Sequence, residues 1–113
     1  YEKKGYLLLP KSPLGCQLNH HAFFIIFNTC TNRNAFIQNL KCEYHVSSYI
    51  GYHPLHSSKK GIELGYKKED LPVTQDLASR IARLPFYTEL GVSDDMLDYT
   101  IASIVSVLNK IYI

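Results

Sequence analysis

From Leu97 to Ile111, apolar residues fall at Leu97, Ile101, Ile104, Val105, Leu108 and Ile111. Steps of three and four dominate, which is the period of one helix face. Ser93 ahead of the stripe supplies a cap, and Asp94 and Asp95 supply an acidic first turn. An isolated amphipathic helix is only marginally stable in water, so this one must lie on an apolar surface. The chain offers such a surface in Ala22-Phe23-Phe24-Ile25-Ile26-Phe27. The run is short, unbroken and rich in β-formers, which predicts a buried strand covered on both faces.

The remaining elements are placed around this pair. Residues 1–18 carry Gly5, Pro10, Pro13 and Gly15 and read as an irregular lead-in, with Tyr6–Leu9 a short extended piece. Thr31 or Asn32 can cap a helix bearing Phe36, Ile37 and Leu40 that ends near residues 41–43. Residues 43–50 mix β-branched and aromatic side chains with polar ones, which predicts a second strand. Residues 57–72 read as a loop. Thr74 then caps a helix with Leu77, Ile81 and Leu84 on one face, stopped by Pro85, and Phe86-Tyr87 reads as a short extended or turn segment. The sum is an α+β fold. A small sheet of two to four strands packs against about three helices in a single domain, residues 1–113.

Composition excludes several classes. A formal charge of +2 with lysine pairs scattered along the chain gives no basic face for nucleic acid. The longest unbroken apolar run, Ala22 to Phe27, is far short of the ~20 residues a membrane helix needs. Three cysteines, Cys16, Cys30 and Cys42, without CxxC spacing argue against a zinc ribbon or a disulfide framework and point to a reduced, cytoplasmic setting.

The chemistry-bearing stretch is Tyr49-Ile50-Gly51-Tyr52-His53-Pro54-Leu55-His56-Ser57-Ser58, which holds no formal charge. Pro54 fixes its own φ and pushes His53 toward an extended conformation, so phenol and imidazole groups can be held at set positions. The same residues also suit a half-buried turn with no ligand. His20, His21, His53 and His56 raise a metal site as an alternative, but adjacent His20 and His21 point to opposite faces of a strand and His53/His56 fit no metal-ligand spacing. No GxSxG elbow or phosphate loop occurs, and nothing marks Cys16 as an activated nucleophile.

Five segments, in order, resemble one family. They are Asn19-x-His21-Ala22-Phe23-Phe24-Ile25; Arg33 with Phe36-Ile37-Gln38-x-Leu40; Tyr52-His53-Pro54-Leu55-His56-Ser57-Ser58; Pro72-Val73-Thr74 through Ser79-Arg80-Ile81-x-Arg83-Leu84-Pro85; and the closing helix from Leu90 to Leu108. Together they are similar to the DegT/DnrJ/EryC1/StrS sugar aminotransferases, pyridoxal-phosphate enzymes. Pro-Leu-His-Ser-Ser followed by Arg-Leu-Pro-Phe-Tyr is most similar to the TDP-4-oxo-6-deoxy-D-glucose transaminases, which use glutamate as amino donor.

The resemblance covers only that family's C-terminal small domain. It implies that the large domain, with the Schiff-base lysine and the phosphate-binding loop, has no counterpart in these residues. The chain alone is therefore expected to hold no pyridoxal phosphate and to carry no catalytic residue. The implied partners are the large domain, a second copy in a homodimer, and a nucleotide-sugar substrate. By the same resemblance Tyr52 and His56, and more weakly His21, face substrate or support the site mouth. Where the family often has His before the tyrosine, this chain has Gly51. A free-standing binding module that reuses the domain, or a small His-dependent metal enzyme, are the competing readings.

Overall fold

A computed structural model describes residues 1–113. Four short strands form one antiparallel sheet: β1 (Leu7–Leu8), β2 (Phe24–Phe27), β3 (Tyr49–Ile50) and β4 (Ile81–Arg83), in the spatial order β1-β2-β4-β3. Four helices accompany them: α1 (Cys30–Tyr44), α2 (Lys59–Glu63), α3 (Pro72–Arg80) and α4 (Asp94–Tyr112). The α+β class and the strand count agree with the sequence reading.

One face of the sheet makes the core. Ile25 and Phe27 of β2 and Ala82 of β4 point the same way, with Leu7 beside Phe27 in register. Phe36 and Leu40 of α1 and Val107 and Leu108 of α4 close over them. The Phe27 and Phe36 rings meet at 5.1 Å, tilted by 45°, a favourable aromatic geometry. On the opposite face Phe24 and Ile26 are only half-buried, so the expectation that both faces of this strand are covered is corrected.

The last helix is also rotated relative to its apolar stripe. Its buried residues are Thr100, Ser103, Val107 and Leu108, while Ile101 and Val105 are exposed. Two hydroxyls can sit inside because each bonds within the helix. Thr100 donates to the Met96 carbonyl at 2.8 Å and Ser103 to the Tyr99 carbonyl at 2.7 Å. A satisfied hydroxyl of small volume lets α1 approach closely, whereas an unsatisfied one would be costly to bury.

Several boundaries differ from expectation. Residues 57–72, expected to be a loop, contain α2, and Leu71 rather than Thr74 stands at the N-cap of α3. Thr29, not Thr31 or Asn32, caps α1, its Oγ1 accepting from the Asn32 N–H at 3.1 Å. The helix then continues through Tyr44 and ends at His45, whose φ of 55° is left-handed, so only Tyr49–Ile50 of the expected 43–50 strand is β. The helix expected to carry Ile81 and Leu84 stops at Arg80. Pro72 begins it at a position where no N–H is needed. The residues from Ile81 to Arg83 instead fill the gap between β2 and β3, and Leu84, held extended by Pro85, bonds back to the Phe23 carbonyl at 2.9 Å. Pairing on both sides outweighs a helical period that three apolar residues cannot enforce.

Candidate functional site

The end of the sheet that carries Tyr49 and Arg83 opens into a groove of about 890 Å³. Its walls come from the end of α1 and the residues after it (Tyr44, His45, Val46), from β3 and its exit (Tyr49 to Tyr52), from the end of β4 and the segment after it (Arg83 to Tyr87) and from the start of α4 (Met96, Tyr99, Thr100). Five of the nine tyrosines line it: Tyr44, Tyr49, Tyr52, Tyr87 and Tyr99. That concentration makes a surface able both to stack on flat groups and to exchange hydrogen bonds. The volume lies in the range of small-molecule sites, about 300–1,000 Å³.

The walls are tied together by specific bonds. The buried Ser48 hydroxyl donates to the Arg83 carbonyl at 2.7 Å, which fixes the approach to β3 against β4. Tyr99 donates its hydroxyl to the Tyr44 carbonyl at 2.9 Å, joining α4 to the last turn of α1. The Tyr87 hydroxyl lies 3.4 Å from the Met96 sulfur. A Cβ added at Gly51 would come within 3.1 Å of the Ile81 side chain, so a larger residue there fits only if that side chain shifts by a few tenths of an ångström.

Tyr52 lies on the groove, 82% exposed, with the Arg83 guanidinium 5.6 Å from its ring centroid. His56 does not line it. It is 6% exposed in the turn Leu55–Ser57, where its Nε2 lies 3.3 Å from the Lys68 carbonyl. His21 is exposed in the approach to β2, its N–H donating to the Asn19 side chain at 3.1 Å. The structure thus brings Tyr52 alone of these three to the groove wall. The five histidines converge nowhere with other metal-ligating groups: no cluster of three or more His, Cys, Asp or Glu occurs. A His-based metal centre has no geometry to rest on.

Arg83, Tyr87 and Tyr99 were not singled out as site residues in the sequence, although Tyr49 belonged to the chemistry-bearing stretch. Arg83 fell within the segment expected to be helical. The usable signal was Pro85, which disfavours a helix at Leu84, while pairing with Phe24 and Tyr49 sets Arg83 on a strand.

The chain is similar over 96% of its length to a sugar aminotransferase structure from Streptococcus pneumoniae in its PLP form, with a TM-score of 0.78 at 21% identity, covering 28% of that chain. The PMP form of the same enzyme matches with a TM-score of 0.71 at 23% identity, over 88% of this chain and 26% of that one. The DegT/DnrJ/EryC1/StrS aminotransferase family profile matches residues 5–105, and the chain belongs to that family. Among curated proteins it is 34% identical over 73 residues to a dTDP-3-amino-3,4,6-trideoxy-alpha-D-glucose transaminase of Micromonospora megalomicea subsp. nigra, a match covering 64% of this chain and 20% of the relative. The chain thus spans between about a fifth and somewhat over a quarter of the length of the relatives it matches.

Proposed function

We propose that the chain acts as the small domain of a nucleotide-sugar aminotransferase, closing over a substrate whose reacting carbon is handled by a cofactor-bearing large domain. The substrate is a TDP-4-oxo-6-deoxy sugar, converted to its 4-amino form with glutamate as donor, in a homodimer working in the cytoplasm. The observation that carries this reading is the family match across residues 5–105, joined to a groove that opens where the Tyr52 segment leaves the sheet.

The lysines support the same division of labour. An imine-forming lysine needs a desolvated amine that can lose its proton near neutral pH. All nine lysines of the chain are exposed. Lys110 is shifted in the opposite direction, its pKa raised chiefly by a hydrogen bond to Glu43. These residues therefore do not fit pyridoxal phosphate as a covalently held group, and the chain's own contribution lies in binding and orienting substrate. Tyr52 presents a phenol at the groove wall, and His56 holds the turn behind it.

Titrating the chain with pyridoxal phosphate tests this. Absorbance should show only weak, non-saturating change, and borohydride reduction should leave lysines modified at random. A saturable imine at one lysine, abolished by its substitution, contradicts the reading.

A further inference from the structure

Arg33 is 7% exposed in α1, and no carboxylate of the chain pairs with it. Its hydrogen-bond partners are all neutral. Nε donates to the Asn34 side chain at 2.8 Å, Nη1 donates to the Ile81 carbonyl at 3.1 Å, and Nη2 reaches only the Cys30 sulfur at 3.7 Å. One hydrogen on each Nη is left without a partner in the chain. A buried charge is costly unless an opposite charge accompanies it. The other two arginines are placed differently: Arg80 has Asp76, and Arg83 lies against the face of Tyr52.

Arg33 borders a cavity of about 140 Å³ between α1, α3 and the Tyr52–Pro54 segment. Gln75 of α3 lines the same cavity, and its buried Oε1 has no hydrogen-bond partner. A buried acceptor left unmatched is costly, and a half-turn of the carboxamide puts N–H donors in its place. His53 adds an imidazole able to donate. The Ser79 hydroxyl, also in the lining, is already bonded to the Asp76 carbonyl. No Asp or Glu belongs to the lining, so nothing in the chain offsets the guanidinium there. A chloride ion is close in size to a water molecule, about 30 Å³, and the cavity takes one with waters around it. The same space is far too small for a nucleotide.

We infer that this cavity binds a small monovalent anion of chloride size, held by the Arg33 guanidinium and the turned Gln75 amide, with His53 at its rim. The ion supplies a counter-charge to Arg33 and ties α1 and α3 to the segment that presents Tyr52. The inference does not rest on the functional reading above, because its chemistry is separate from amino transfer.

The test is thermal unfolding of the chain at fixed ionic strength, with sodium gluconate replaced stepwise by sodium chloride. Gluconate is too bulky for the cavity, and constant ionic strength holds screening equal. The Tm should rise saturably, by about 4 °C once chloride exceeds its dissociation constant about fivefold. Amide shifts at Arg33, His53 and Gln75 should saturate over the same chloride range. Gln75→Glu places a carboxylate in the cavity beside Arg33. It should melt in gluconate as high as the parent does in chloride, and it should no longer respond to chloride. Arg33→Met should lose the response as well; if that variant does not fold, Gln75→Glu decides alone. A parent Tm indifferent to chloride, or a Gln75→Glu chain that keeps the parent's response, would overturn the inference. A response that climbs without saturating marks an adventitious ion only and overturns it too.

Discussion

Gly61→Ala should destabilise the fold even though alanine is the better helix former. Gly61 is buried in α2, and a Cβ added to it would sit 2.2 Å from the Leu55 carbonyl oxygen, 2.4 Å from the His56 oxygen and 2.7 Å from the His56 carbonyl carbon. Ordinary contact begins near 3.4 Å, so the backbone must open by about 1 Å. The obstacles are main-chain atoms of the turn that holds His56, not flexible side-chain ends. Alanine gains about 1 kcal/mol of helix propensity over glycine, while overpacking of this kind costs about 1–3 kcal/mol and sometimes more. Opening the turn also strains the bond from the Gly61 N–H to the Ser58 hydroxyl, 3.1 Å long, and the His56 contact with Lys68. A net loss of about 1–2 kcal/mol is expected. Urea unfolding of the two proteins measures it. Gly91→Ala is the control, since its Cβ meets nothing within 4 Å and should change stability by no more than about 0.5 kcal/mol. A Gly61→Ala chain as stable as the parent refutes the packing of α2 against the Leu55–Ser57 turn.

Other expectations follow from the same geometry. Ala82→Leu places a large side chain at a fully buried point of the central strand and should cost about 1–3 kcal/mol by thermal or urea unfolding, whereas Ala82→Gly should cost less than a gross collapse of the sheet. Tyr99→Phe removes the hydroxyl bonded to the Tyr44 carbonyl and should cost about 1 kcal/mol, with amide exchange quickened at the end of α1. Asp76 has its carboxyl pKa held below the ordinary value, chiefly by its hydrogen bond to Arg80. Stability from this pair is therefore present above the unfolded pKa of about 3.9 and is lost as pH falls through the lower folded value. Asp76→Asn should flatten the acid limb of a stability-against-pH curve, and an unchanged limb would show that the pair contributes nothing there.

The class and the order of most elements were legible because they depend on local patterns. Phe24–Phe27 is short and made of β-formers, which favours a strand, and the α4 stripe keeps a helical period over several turns. The errors arise where tertiary pairing overrides a short pattern. Ile81 and Leu84 sit at helical spacing, yet the sheet has a vacant place between β2 and β3 and Pro85 already disfavours a helix there. The buried side of α4 passes through Thr100 and Ser103, which no apolar count could reveal, because their hydroxyls are satisfied by carbonyls one turn back. The motif pointed to Tyr52, which lines the groove. The groove around it was not legible, since Tyr44, Tyr87 and Tyr99 lie far apart in sequence and meet only when α1, the segment after β4 and α4 converge. Gly61 looked like a loop residue, and only its closeness to Leu55 and His56 gives it a role.

The central claim is that these residues form the substrate-facing small domain of a sugar aminotransferase. Its most direct test joins the chain to the large domain of the related Streptococcus pneumoniae enzyme, in place of that enzyme's matching segment. The readout is transfer of the amino group from labelled glutamate to a TDP-4-oxo-6-deoxy sugar, followed by mass spectrometry. The account predicts labelled amino sugar, with an apparent KM for the oxo-sugar that rises when Tyr52 is changed to Ala. A folded, cofactor-loaded chimera that turns over glutamate yet delivers no nitrogen to any such sugar would contradict it.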